Sequence, residues 1–232
     1  MRSPTRTANG NAPKLPRVQS GRRPHIPEAT PRAHVAVRPL KAGDFSFKFR
    51  AGVPCLLLVE TLGEWTGRRY ERVRNEGLWH SWLRRMKLPV PQLPVGEEGL
   101  ADMRVLRAAI YETAQAIRGQ RAPQHDAIAQ INAWACHTPL PRLLDGTGTA
   151  LEPLAEVSNA HVLALLARDA IALFSSEARS RIKECASPTC PVMFLDRSRR
   201  GDRIWCSPTC GARLASARYR RRLFPVPEEQ VA

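Results

Sequence analysis

A mainly α fold with small β hairpins (α+β) is what this 232-residue sequence predicts, with a helical N-terminal domain followed by a small cysteine-bearing C-terminal module. Apolar residues recur at helical spacing through much of the stretch between Cys55 and Phe174. Four of the six cysteines follow the spacing Cys185-x4-Cys190-x15-Cys206-x3-Cys210. The formal charge of +15 gathers in two places: residues 1–41 carry nine Lys/Arg against one acid, and residues 181–223 carry eleven against three. The body between them is nearly neutral.

Residues 1–41 are rich in proline and arginine and show no sustained period, so a disordered basic arm is expected there. Residues 45–183 read as the helical domain. Phe45, Phe47 and Phe49 alternate with Ser46, Lys48 and Arg50, predicting a half-buried strand that Gly52-Val53-Pro54 ends. The apolar run Cys55–Leu62 suits a buried helix or a strand, and the proline ahead of it favours a helix start. Leu78, Trp82, Leu83 and Met86 mark the next helix, stopped by the prolines of 89–94. Leu100, Met103, Leu106, Ile110, Ala114 and Ile117 mark a longer one, and Ile128, Ile131 and Ala135 a shorter one. Residues 140–145 and 149–151, around Gly146-Thr147-Gly148, predict a small hairpin. From Ser158 or Asn159 as cap, a long helix carries Val162, Leu165, Leu166, Leu173 and Phe174 toward Arg181.

Residues 184–223 form the cysteine-bearing module, and 224–232 a short tail. Two close cysteine pairs joined by a folding segment are what a structural Zn²⁺ needs, because each pair sits on one tight turn and together they supply a tetrahedron. Ala186-Ser187-Pro188-Thr189 makes a knuckle. Residues 192–195 and 203–205 predict two strands of a hairpin around the polar turn 196–202. Ser207-Pro208 reads as a helix cap, placing Cys210 in the first turn beside Cys206. The expected unit is a treble-clef-like zinc finger with Cys185, Cys190, Cys206 and Cys210 holding one structural ion, and four thiolates leave no open position for catalysis.

Clustered arginine on a small folded module is the electrostatic footprint of a polyanion binder. On the last helix Ala212, Ala215, Tyr219 and Leu223 share an arc of about 80°, expected to pack on the hairpin, while Arg213, Arg218, Arg220, Arg221 and Arg222 lie around the rest. The turn adds Arg197, Arg199, Arg200 and Arg203. These nine are the candidate DNA contacts.

Other classes find no support. His80, His125, His137 and His161 are scattered, Cys55 and Cys136-His137 read as core, and Trp65, Trp79 and Trp82 as core or interface. There is no Gly-rich phosphate loop and no apolar span of membrane length, so neither an enzyme nor a membrane protein is expected. With few cysteines and no apolar leader, the chain is expected in the cytoplasm, on the nucleoid if it binds DNA. Neither a homo-oligomer nor a small-molecule effector of the helical domain has residues assigned to it.

Cys210-Gly211-Ala212-Arg213, the run Phe194–Arg200 and Arg203-Ile204-Trp205-Cys206-Ser207 resemble the CGNR zinc-finger family. Gly52-x-Pro54-Cys55-Leu56 with Val59-Glu60-Thr61, and Leu106-Arg107-Ala108-Ala109-Ile110, are similar to the ABATE domain that precedes that finger. The resemblance spans residues 45 to 223. It implies a bacterial stress-response transcription regulator, with DNA binding by the finger and sensing or assembly upstream. Ala212 stands where the family has asparagine and Glu60 where it tends to asparagine, so an amide-mediated cap or base contact at Ala212 is absent. The alternative is a zinc-stabilised protein–protein interaction module without direct DNA binding.

Overall fold

The computed structural model describes residues 39–138, 140, 144–149, 156–187 and 190–223, with backbone alone at 217, 218 and 220–222. The expected tail, most of the basic arm and much of the 140–151 hairpin lie outside the described residues.

Pro54 opens the first helix, α1 (Pro54–Val59), in which every residue after the proline is buried. A helix apolar on all sides belongs inside a core. Four further helices build the body, α2 (Glu76–Arg85), α3 (Gly96–Arg118), α4 (His125–Ala135) and α5 (Asn159–Ser175), of which α3 and α5 pack on α1. Asn75 caps α2 by accepting from the Leu78 amide at 2.9 Å, and Ser158 caps α5. At the start of α1, where Val53 offers no side-chain acceptor, Asp169 on α5 accepts the Cys55 amide at 2.8 Å. The C-terminal carbonyls of α4 are met by Arg168, which donates to Ala135 and His137. α3 packs on α1, α4 and α5, placing Met103, Leu106 and Ile110 in the centre.

Aromatic pairs fill the flank. Trp79 and Trp82 stack at 5.2 Å, and the Trp79 indole donates to Asn159 at 2.9 Å. Trp65 stacks on Tyr111 at 3.9 Å. All three tryptophans are core, as the sequence suggests. A two-residue hairpin absent from the sequence reading, β1 (Leu62–Gly63) with β2 (Tyr70–Glu71), is tied to α3 by the buried Arg107. That guanidinium donates to both Glu71 carboxylate oxygens, at 2.8 and 2.6 Å, and to the Thr61 hydroxyl.

Three local expectations are corrected. Residues 46–50 form no strand: the segment follows a 3-10 turn at Ala42–Phe45, and Phe49 takes a φ of 51°, which no strand accommodates. α5 stops at Ser175 rather than running to Arg181, because Ser176 turns extended and its hydroxyl bonds the Leu173 carbonyl; a 3-10 turn at Glu177–Arg181 follows. Cys136 is exposed rather than core, since it lies just past the end of α4.

The 3-10 turn delivers the chain into β3 (Ile182–Glu184), which pairs antiparallel with β4 (Met193–Leu195) in the register Ile182–Leu195, Lys183–Phe194, Glu184–Met193. The period-2 alternation of β4 divides its side chains between two cores. Met193 and Leu195 join the helical core with Ile182, while Phe194 joins the four cysteines. The Leu195 amide donates to the Ala51 carbonyl at 2.9 Å, and the neighbouring Gly52, at φ 91°, takes a turn that residues with side chains rarely adopt. Arg118 of α3 pairs with Glu184 at 3.1 Å. The finger hairpin is thus one wall of the helical body.

Replacing Asp169 with alanine should orphan the α1 amide. We expect a loss of about 1–2 kcal/mol, read as a lower urea midpoint with an unchanged m-value.

Candidate metal centre

Cys185 follows β3 directly and its amide donates to Val192 at 2.9 Å, while the Cys190 amide donates to Ser187 at 3.0 Å, closing the knuckle. Cys206 lies just before α6 (Pro208–Leu223), whose first turn carries Cys210, its amide bonded to the Ser207 carbonyl at 3.1 Å. The four sulfurs all lie within 4.8 Å of one another and all four residues are buried. Cys190–Cys206 and Cys206–Cys210 separations are each 3.6 Å. A tetrahedron with Zn–S bonds of about 2.3 Å has edges near 3.8 Å, whereas a disulfide needs about 2.05 Å. The set therefore fits Zn²⁺, and all six cysteines of the chain are free thiols.

The surroundings favour thiolate at part of the set. The Cys190 thiol is held down to about 5, mainly by its hydrogen bond with Cys206 and then, against burial, by the Val192 amide. That same bond with Cys190, together with burial, pushes Cys206 up. Burial also raises Cys185, although the amides of Cys206 and Ser187 aim at its sulfur. A bound cation relieves this conflict, since four thiolates in one pocket repel until a metal neutralises half their charge.

The expected return strand at 203–205 is absent, and β4 takes β3 as its partner instead. Asp196, wholly buried, explains the difference. Its carboxylate accepts from the Ser198 amide at 2.9 Å, the Arg203 amide at 2.8 Å and the Lys183 ammonium at 2.9 Å, so the Arg203 backbone is spent on the turn rather than on a ladder. Burial opposes its charge, yet hydrogen bonds from the Ser198 side chain, from Lys183 and from the two amides outweigh it and hold the carboxyl well below the usual carboxylate range. The Ile204 carbonyl meanwhile receives the Ala186 amide at 2.8 Å, latching the loop to the knuckle.

The nine candidate DNA contacts separate by position. Arg197, Arg199 and Arg200 on the turn and Arg213 on α6 are exposed. Arg203 folds inward, donating to the Cys206 carbonyl at 2.8 Å with its guanidinium 5.3 Å from the centre of the Phe194 ring. Arg218, Arg220, Arg221 and Arg222 lie on α6 with side chains outside the described residues. The apolar arc of α6 does not pack on a hairpin: Ala212 and Ala215 are exposed, and Tyr219 and Leu223 are 63% and 54% exposed. The first turn of the helix does meet a surface, where Gly211 sits against the Trp205 ring. Ala212, being exposed, leaves no buried gap where the family has asparagine.

One residue of the site was not found in the sequence. Arg50, read there as the solvent side of a strand, reaches the Cys210 sulfur at 3.8 Å with its Nη1. Only an arginine ahead of the Gly52-x-Pro54-Cys55 turn marked it, and that is no signal without the fold.

Helical body and closed tetrathiolate together define a zinc-finger protein, with one structural ion per chain. Comparison with protein families matches residues 52–177 to the ABATE domain, described as "Putative stress-induced transcription regulator", and residues 181–223 to the CGNR zinc finger. The chain belongs to the ABATE family and ends its described part in a CGNR finger. Neither is an enzyme family. Comparison with curated proteins gives no match.

The purified protein should carry about one zinc per chain, and Cys206→Ser should lower that severalfold by elemental analysis. Asp196→Ala should lower the thermal midpoint. Because the folded carboxyl titrates below its unfolded value, its contribution is present above about pH 4 and fades as pH falls further. The gap between wild type and variant should therefore narrow in acid.

Proposed function

We propose that this protein is a DNA-binding regulator of transcription, working at the bacterial nucleoid, in which the finger presents arginines to the phosphate backbone. The observation that supports this most is the sorting of charge on the finger. Of its three acids, Glu184 pairs with Arg118, Asp196 is buried on Lys183 and Asp202 alone is exposed, beside the exposed Arg197, Arg199, Arg200 and Arg213. Its outer surface is therefore more basic than its composition.

Zinc serves this as a brace. The ion ties the knuckle to the first turn of α6, fixing the turn arginines relative to the helix. Rigid donors lose less freedom on meeting a phosphate than a flexible arm does. Each phosphate neutralised releases condensed counterions, and one or two arginines of α6 are assigned to base edges, where the guanidinium fork fits guanine. The helical body takes the sensing or assembly role, joined to the finger through the β3–β4 wall. No described helix is long and apolar enough to cross a membrane.

The exposed arc of Ala212, Ala215, Tyr219 and Leu223 favours a second reading, a platform for a protein partner. A salt series distinguishes the two. Replacing Arg197, Arg199 and Arg200 together by alanine should weaken duplex binding and reduce the slope of log K against log salt by up to about 3. Zinc-loaded protein that binds no duplex at low salt supports the platform instead.

A further inference from the structure

We propose that Arg50, in the segment leading into the helical body, is an outer-sphere partner of the zinc–thiolate cluster, so that the body supplies a cation that balances the finger's buried metal site. It is a positioning residue for the metal, not a ligand.

A Zn²⁺ held by four thiolates carries a net charge of about −2. Buried charge of that size is costly unless compensated by donors and counter-charge. The finger's own donors to sulfur include the backbone amides of Ser187, Val192 and Cys206, which are neutral. Two of its cations turn elsewhere: Lys183 to Asp196, and Arg203 to the Cys206 carbonyl. Arg50 reaches in from outside the finger, its Nη1 3.8 Å from the Cys210 sulfur.

Arg50 is also held from both sides. Its amide donates to the Glu60 carboxylate at 2.7 Å, and Glu60, buried at the end of α1, is itself fixed by Arg72 donating to its carbonyl. The next residue, Ala51, accepts the Leu195 amide of β4. The guanidinium is therefore registered to the helical body by Glu60 and to the finger by β4. Glu60 stands where the resemblance leads one to expect asparagine, and its carboxylate provides this anchor. Unseating the finger from the body withdraws the arginine from the sulfurs, leaving the thiolates more basic and more open to protons, electrophiles and competing chelators.

Zinc transfer from the full chain to a chromogenic chelator in excess tests this, with thiol alkylation rate as a second reading. Replacing Arg50 by methionine should speed zinc loss about 10-fold or more, in line with the 10- to 100-fold effects of outer-shell partners. Arg50→Lys, which keeps the charge but not the fork, should fall between. Arg118→Ala breaks the same seam at Glu184 without touching a sulfur, and should stay within about 2-fold of wild type. A wild-type rate in R50M overturns the proposal. So does equal acceleration in R50M and R118A, which would reduce Arg50 to a docking contact. Should R50M not fold, R50K is compared with R50Q, and equal rates in that pair overturn it as well.

Discussion

Burying four mutually repelling thiolates at the seam between two folding units is the constraint on which the remainder of this structure depends. A tetrathiolate with its ion is still an anion, and it lies against the helical body rather than in water. Backbone amides of the knuckle, a hairpin with two different faces and a guanidinium from the body all converge on it. Take the metal away and the first turn of α6 loses its tie to the knuckle; take the body away and the cluster loses its cation.

The consequence for architecture is that finger and body are not beads on a string. β4 is shared property. Met193 and Leu195 complete a core made by α1, α3 and α5, while Phe194 lies under the sulfurs. Gly52 permits this, since its φ of 91° is a backbone conformation that residues with side chains rarely adopt. A change in the packing of α1 therefore has a short physical path to the metal, through Glu60 and Arg50 or through Ala51 and Leu195. Such a path is a precondition for coupling between sites, which requires in addition two discrete arrangements of the elements between them.

Local signals were read well where the physics is local. Pro54 and Ser158 set helix starts within a few residues, and the cysteine spacing located all four members of the cluster. The readings that failed were decided by partners far along the chain. Phe45 to Arg50 alternates like a strand, but Glu60 captures the Arg50 amide and Phe49 turns left-handed. The sequence pairs the finger hairpin forward because Ile204-Trp205 is apolar and near, whereas Asp196 takes the Arg203 amide and Ile182–Glu184 stands across from β4. The Arg50 contact joins residues 160 apart, so no window of sequence could contain it. The same holds for Asp169 as the cap of α1, 114 residues from the amide it accepts.

The last helix departs from the rest of the molecule in how it is held. Its first turn is fixed by Cys206, Cys210 and Trp205, while Ala212, Arg213, Ala215, Tyr219 and Leu223 all face outward. Substitutions at such exposed positions change stability by only about 0.5 kcal/mol either way. Natural variation can therefore rewrite these exposed positions almost without penalty to folding. A clamped root and an outer face free of packing let the surface chemistry of this helix drift while the metal site, the hairpin and the helical body stay as they are.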